Sequence, residues 1–237
     1  ERGTNPLLRD TDTDGIEDRE EVLRIALGVN PLDKDSDDDG VLDGFEVEPW
    51  LDSDGDGFIN AADPDSDNDE LPDGVEVGTR TLFTDPDQDG PLSATDIGRG
   101  FARRDADPSS QTNPLDPDSD DDGILDGKED LNHNGMLDPL STNPLELETD
   151  PTDADTDDDG LLDGLEIGLG QPQFLSATNL AVFIADTDLG STTDPRRADT
   201  DLGGVSDGVE DTNHNGRVDP GETDPNISED DGDIDAD

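Results

Sequence analysis

Residues 35–46 read DSDDDGVLDGFE, six carboxylates in twelve positions, and segments of this form recur along the whole chain. Like charges about 4 Å apart repel by roughly 4 kcal/mol at an effective dielectric of about 20, so folding such a segment demands a counter-charge at close range. The chain cannot supply it, because 68 Asp and Glu face 13 Lys and Arg for a formal net charge of −55. Only 27% of its 237 residues are apolar and 3% aromatic. So little burial does not offset chain entropy, and a bare chain of this kind is expected to stay disordered. Divalent cations are the simplest ordering agent. The same acidity argues against nucleic acid and anionic membranes as direct partners. There is no Cys, hence no disulfide and no thiolate metal site. No stretch reaches transmembrane length and no signal peptide precedes Glu1, so the chain is expected to be mature or a fragment, with no membrane insertion.

The acids are spaced as well as abundant. Asp35, Asp37 and Asp39 alternate, Gly40 follows, Asp43 stands at position 9 and Glu46 at position 12. This is the D-x-[DN]-x-[DN]-G-x5-E calcium loop, in which positions 1, 3 and 5 turn oxygens inward, the glycine allows the sharp turn and the last acid closes the shell. The full pattern returns with Asp10, Asp12, Asp14, Asp18 and Glu21, then with Asp118, Asp120, Asp122, Asp126 and Glu129. It returns again with Asp155, Asp157, Asp159, Asp163 and Glu166, and with Asp211, Asn213, Asn215, Asp219 and Glu222. Five copies with the same glycine exceed chance even in so acidic a chain.

Weaker copies fill the gaps. Asp52, Asp54, Asp56, Asn60 and Asp63 form one that closes with Asp; Asp65, Asp67, Asp69, Asp73 and Glu76 form another, with Glu70 where Gly belongs. Asp85, Asp87, Asp89 and Asp96 make a third, and Asp130, Asn132, Asn134 and Asp138 a fourth without a closing acid. Asp199, Asp201, Asp207 and Glu210 make a fifth with Gly203 at position 5, while 186–197 retains only Asp186 and Asp188. These copies are expected to bind more weakly, to share ions with neighbours, or to be empty. Many calcium ions per chain follow.

Competing readings are weaker. An isolated Asp is ordinarily a solvated surface carboxylate, but the acids of five full loops are not isolated. His133 and His214 both fall at position 4, which points away from the ion, so neither is expected to ligate a transition metal. Carboxylate catalysis needs two acids with separated pKa values in a pocket, and pocket-forming apolar residues are scarce. The expectation is that the chain is not an enzyme.

The flanks do not read as the helices of a paired helix–loop–helix. GVNPLDK leads into 35 and QTNPLDP into 118, and each Pro biases its preceding Asn away from helical angles. The loops at 118 and 130, and at 199 and 211, abut directly. Only EDREEVLRIAL at 17–27 reads as a short amphipathic helix, with Gly28 as its stop. Apolar residues fall at position 7 (Ile16, Val41, Phe58, Leu71, Ile124, Met136, Leu161, Val205) and near position 11 (Phe45, Val75, Leu165, Val209), enough for small contacts between turns and not for a continuous core. The fold class expected is irregular and mostly coil: an elongated array of DxDxDG loops with little regular secondary structure.

On these loops, and on the recurring lead-ins TNPL (4–7, 112–115, 142–145), VNPL (29–32) and TDP (149–151, 193–195, 223–225), the chain resembles the thrombospondin type 3 repeat family over nearly its whole length. The resemblance implies acidic loops wrapped around rows of calcium ions, with the position-matched acids above as ligands. The animal repeats are stapled by cysteines; this cysteine-free form is similar to repeats of prokaryotic secreted proteins, so its order is expected to depend more heavily on calcium.

A longer period overlies the loops. The segment from 112 aligns with the one from 193, 81 residues on, and NPLDKDSDDDG from 30 with NPLDPDSDDDG from 113. The divisions expected are 1–29, the end of a super-repeat with the helix; 30–112 and 113–192, two super-repeats; and 193–237, an unfinished one. Less acidic insertions lie at 78–104 and 168–185, the second holding the strand-like run NLAVFIA. They read equally as lateral contact sites and as local plugs over a turn. Written head to tail, the ends place Glu229, Asp231 and Asp233 at positions 1, 3 and 5 of a split loop that runs on through Asp237 and is closed by Glu1 of a next copy. One expectation is therefore an extracellular or cell-surface fibre of identical copies joined end to end. The alternative is a rigid spacer or adhesin stalk within a larger surface protein, with arbitrary cut points at 1 and 237. The dockerin-like anchor is disfavoured because it needs two loop–helix units.

Overall fold

The computed structural model describes residues 3–79, 105–138 and 148–231. The chain divides into two compact units, Glu1–Asp116 with Asn132–Met136, and Pro117–Leu131 with Leu137–Asp237. Both are irregular and coil-rich, and no strand occurs among the described residues. None of their helices is long and apolar enough to cross a membrane.

Each unit repeats one local plan: a proline turn, a loop, then a single helical turn. The turn is fixed by the lead-in residue. The N–H groups of Leu8, Asp33, Asp116, Asp153, Arg197 and Ile227 donate to the carbonyls of Asn5, Asn30, Asn113, Asp150, Asp194 and Asp224, each three residues back. The lead-in residue's own N–H reaches forward to the hydroxyl at loop position 2, from Asn5 to Thr11, Asn30 to Ser36, Asp150 to Thr156 and Asp194 to Thr200, at 2.9 Å in every case. Asn and Asp suit this place because their side chains also accept from the backbone two residues on.

Within the loops the backbone turns left-handed twice. Position 4 has φ between 52° and 72° in Thr13, Asp38, Asn68, Asp121, His133, Asp158, Leu202 and His214. Position 6 is the glycine, at φ 110° in Gly15, 108° in Gly40 and 103° in Gly160. Glu70 occupies position 6 of its loop at φ 87°, a conformation that a side chain resists.

The helix expected over 17–27 is two pieces: α1, Asp18–Val22, and a 3₁₀ turn at Ile25–Leu27 that Gly28 ends with φ 111°. Four single-turn helices were not expected: α2, Asp73–Glu76; α3, Asp126–Glu129; α4, Asp163–Glu166; and α5, Asp207–Glu210. Each spans positions 9–12, too short for hydrophobic periodicity to register. The run NLAVFIA is not a strand either. It turns at Asn179, whose carbonyl accepts from Val182 and Phe183, and the Phe183 ring covers Gly123 of the loop at 118. This is the plug arrangement; the insertion at 78–104 lies almost wholly outside the described residues.

Apolar burial is piecemeal. Ile16, Val41, Leu71, Ile124 and Leu161 at position 7 are buried, whereas Phe58 is exposed. At position 11, Val75 and Leu165 are buried while Phe45 and Val209 face outward. One small cluster joins Val29, Ile59 and Ala61 with Trp50 and Ala62, and Arg24 stacks over Trp50 at 3.9 Å.

Candidate metal centres

The loops hold their acids by backbone hydrogen bonds that commit some carboxylate oxygens and leave others. At position 1, one oxygen accepts the position-6 N–H: Gly40 to Asp35 at 3.1 Å, Gly160 to Asp155 at 2.9 Å, Gly204 to Asp199 at 3.0 Å. At position 5, one oxygen accepts the position-7 N–H, as from Ile16 to Asp14 and Val41 to Asp39, both 2.7 Å. At position 3, one oxygen takes the position-5 N–H, in Asp37, Asp120 and Asp157 at 3.1–3.3 Å.

Position 9 is held otherwise. Both oxygens of Asp43 accept from Ser36, backbone at 2.7 Å and hydroxyl at 2.6 Å; Asp163 does the same with Thr156 and Asp207 with Thr200. Asp18 is clasped likewise by Thr11, and Asp73 and Asp126 accept the N–H groups of Ser66 and Ser119. These acids, expected as ligands, clamp the loop entrance to the start of the helical turn. In the loop at 52, Asn60 serves this place, taking the Ser53 hydroxyl at 3.0 Å.

The closing Glu is oriented by the next lead-in. The Thr149 hydroxyl donates to Glu129 Oε1 and that of Thr193 to Glu166 Oε1, both at 2.8 Å, and Thr112 meets Glu76 at 3.0 Å. The threonine of TNP and TDP thus aims the closing acid of an earlier loop, a role the sequence reading missed although the triplet was visible. After Glu21 the lead-in begins with Val29, which has no hydroxyl, and neither oxygen of Glu21 has a hydrogen-bond partner.

What remains is a set of buried oxygens without donors among the described residues: Asp35 Oδ1, the Oδ2 atoms of Asp37, Asp120 and Asp157, the Oε2 atoms of Glu129 and Glu166, and both oxygens of Asp12 and Glu21. Glu21 is 0% exposed and Glu129 1%. Burying a carboxylate unpaired is costly. Desolvation, then neighbouring carboxylates, accordingly pushes Glu21 up to about 9, Asp120 to about 8 and Asp12 to about 7. Glu166 rises to about 10, chiefly by desolvation. Carboxylate atoms of Asp10, Asp12 and Asp14, of Asp35, Asp37 and Asp39, of Asp52, Asp54 and Asp56, and of Asp65, Asp67 and Asp69 lie within 4.8 Å of one another. Such all-oxygen groups fit metal ions.

Loops of the same unit also interlock. The glycine at position 10 lies so close to an earlier loop's position-5 backbone that a Cβ would overlap its carbonyl: Gly44 on Asp14, Gly74 on Asp39, Gly164 on Asp122, Gly208 on Asp159. Three of these glycines also donate N–H to the carboxylate there, Gly74 at 2.5 Å, Gly164 at 2.6 Å and Gly208 at 2.8 Å. The same approach gathers Asp14 and Glu21 of one loop with Asp43 of the next into a further buried carboxylate group.

The weaker copies differ in what they keep. Asp52, Asp54 and Asp56 are clustered but largely exposed. In the fifth full loop, amides of Asn213 and Asn215 already engage Asp219, and Asn213 engages Glu222, so Asp219 is held below the usual carboxylate range by those donors. Asp186 does not begin a loop. Its neighbour Thr187 pairs with the Asn215 carbonyl at 2.9 Å, and Asp188 is exposed. Ala106 pairs with Asn134 in the same way at 2.7 Å, which places Asp105, 2% exposed, as the counterpart of Asp186. Asp105 was not anticipated, although the 81-residue offset aligns the two. His214 Nε2 lies 3.1 Å from the Gly208 carbonyl. The loop at 85–96 and the residues Glu1, Asp233 and Asp237 lie outside the described residues.

Comparison with known proteins gives no match to a family model, to a curated protein or to a solved structure.

Proposed function

We propose that this chain is a calcium-binding structural protein of the extracellular or cell-surface space, a cysteine-free relative of the thrombospondin type 3 repeats. The observation that carries the reading is the recurrence of buried carboxylate oxygens that no donor among the described residues satisfies, at position 3 in Asp12, Asp37, Asp120 and Asp157 and at position 12 in Glu21, Glu129 and Glu166. Calcium takes 6–8 oxygen ligands in flexible geometry, whereas thiolate and imidazole suit softer metals. Shells of this kind outside cells work at about 10⁻⁴–10⁻³ M calcium, so the ion is a standing component and not a signal. Each ion removes local repulsion and ties residues about a dozen apart, in place of an apolar core. Catalysis has no support in repeated, equivalent acids.

Chelation tests the reading. The calcium-loaded chain should expand and lose its circular dichroism signature in excess chelator and regain both on recalcification. An unchanged radius and spectrum would refute it. Two uses fit such a protein, a surface fibre of identical copies and a spacer within a larger surface protein. Electron microscopy of native material in millimolar calcium separates them, as continuous filaments or as discrete particles.

A further inference from the structure

The copy at 199–210 lacks the acid at position 5, where Gly203 stands. A Cβ built on Gly203 would overlap the Asp231 carboxylate, at both Cγ and Oδ2, and would lie 2.9 Å from Asp201 Oδ1. A side chain from 28 positions further on thus fills the space that a position-5 Asp would occupy. Asp231 is 6% exposed, and among the described residues neither of its oxygens is met by an N–H or hydroxyl donor; the group that lies against it is another carboxyl, that of Glu210. Asp201 Oδ2 beside it is also buried without a donor, and the Asp231 charge acts on both Asp201 and Glu210. Its segment is placed by the recurrent lead-in: Ile227 N–H donates to the Asp224 carbonyl at 2.8 Å, and Asp224 N–H to Asp230 Oδ2 at 3.2 Å.

The geometry points to a composite calcium site in which Asp231 supplies, from outside the loop, the ligand missing at Gly203, alongside Asp199, Asp201 and Glu210. The site rests on the functional reading above and deepens it. This copy then binds as a complete loop, and Asp231 works within its own chain.

Calcium counting on the full chain by native mass spectrometry and equilibrium dialysis tests it. At about 1 mM free calcium, the upper end for extracellular loops, Asp231→Ala should bind one ion fewer than the wild type with an unchanged circular dichroism spectrum. Gly203 is not at positive φ, so Gly203→Asp added to Asp231→Ala should restore the ion. An equal count and midpoint in Asp231→Ala would overturn this site alone, as would a loss that Gly203→Asp does not restore. A wild type that binds no calcium would overturn the functional reading itself.

Discussion

At the scale of single residues, the loops separate two duties that look identical in sequence. Asp37 and Asp43 are both buried acids of one loop, yet Asp37 keeps an oxygen with no donor while Asp43 spends both on Ser36. The spacing showed the acids, but not which of them keep an oxygen without a donor, because that depends on the hydroxyl at position 2 and on the helical turn at 9–12. The lead-in threonine belongs to the same class of small contact. Thr149→Val should cost about 2 kcal/mol of calcium affinity, the worth of one hydrogen bond to a charged group, read as a roughly thirtyfold weaker step in a calcium titration. Glu70 carries backbone strain that glycine relieves, so Glu70→Gly should stabilise the calcium-loaded fold by about 1 kcal/mol. A melting midpoint that falls in the variant would contradict this.

Among the elements, the single-turn helices matter for what they present, since four residues make no helix stable in water. Three of them offer a bare glycine to an earlier loop: Gly74 to Asp39, Gly164 to Asp122 and Gly208 to Asp159. Gly164→Ala forces the two backbones apart and should destabilise by about 1–3 kcal/mol, the usual cost of overpacking. Gly160→Ala would strain φ without touching this joint, so only Gly164→Ala should loosen amide-exchange protection in both the 118 and 155 loops. The coil-rich class and the alternating acids were legible beforehand. The joints were not, because Asp–Gly at positions 9 and 10 reads as a ligand and a filler until a second loop is seen against it. NLAVFIA misled for a related reason: apolar β-branched character marked a plug over Gly123 as well as it marks a strand.

For the whole molecule, under the function proposed above, a net charge of −55 makes protons and calcium competitors for the same oxygens. The raised acids set the direction. Glu21 moves from 4.5 to about 9, so without ions the folded chain holds protons that the unfolded chain releases. That stability is fully present below about pH 4.5 and is lost as pH rises through about 9. In chelator, acidification from pH 9 to pH 5 should therefore partly restore compactness, followed by small-angle scattering; continued expansion would contradict the sign. Calcium affinity should fall over the same acidification, because each ion bound must displace protons.

The joint between Asp122 and Gly164 has one further consequence. Under the function proposed above, an ion that orders one loop would also fix the carbonyl and carboxylate on which a later loop's helical turn seats, so filling one site would lower the entropic cost of filling the other. Nearest-neighbour coupling of this kind makes a linear array fill in runs. The binding isotherm within a unit should be steeper than for independent sites, with a Hill coefficient above one, and Gly164→Ala should flatten it.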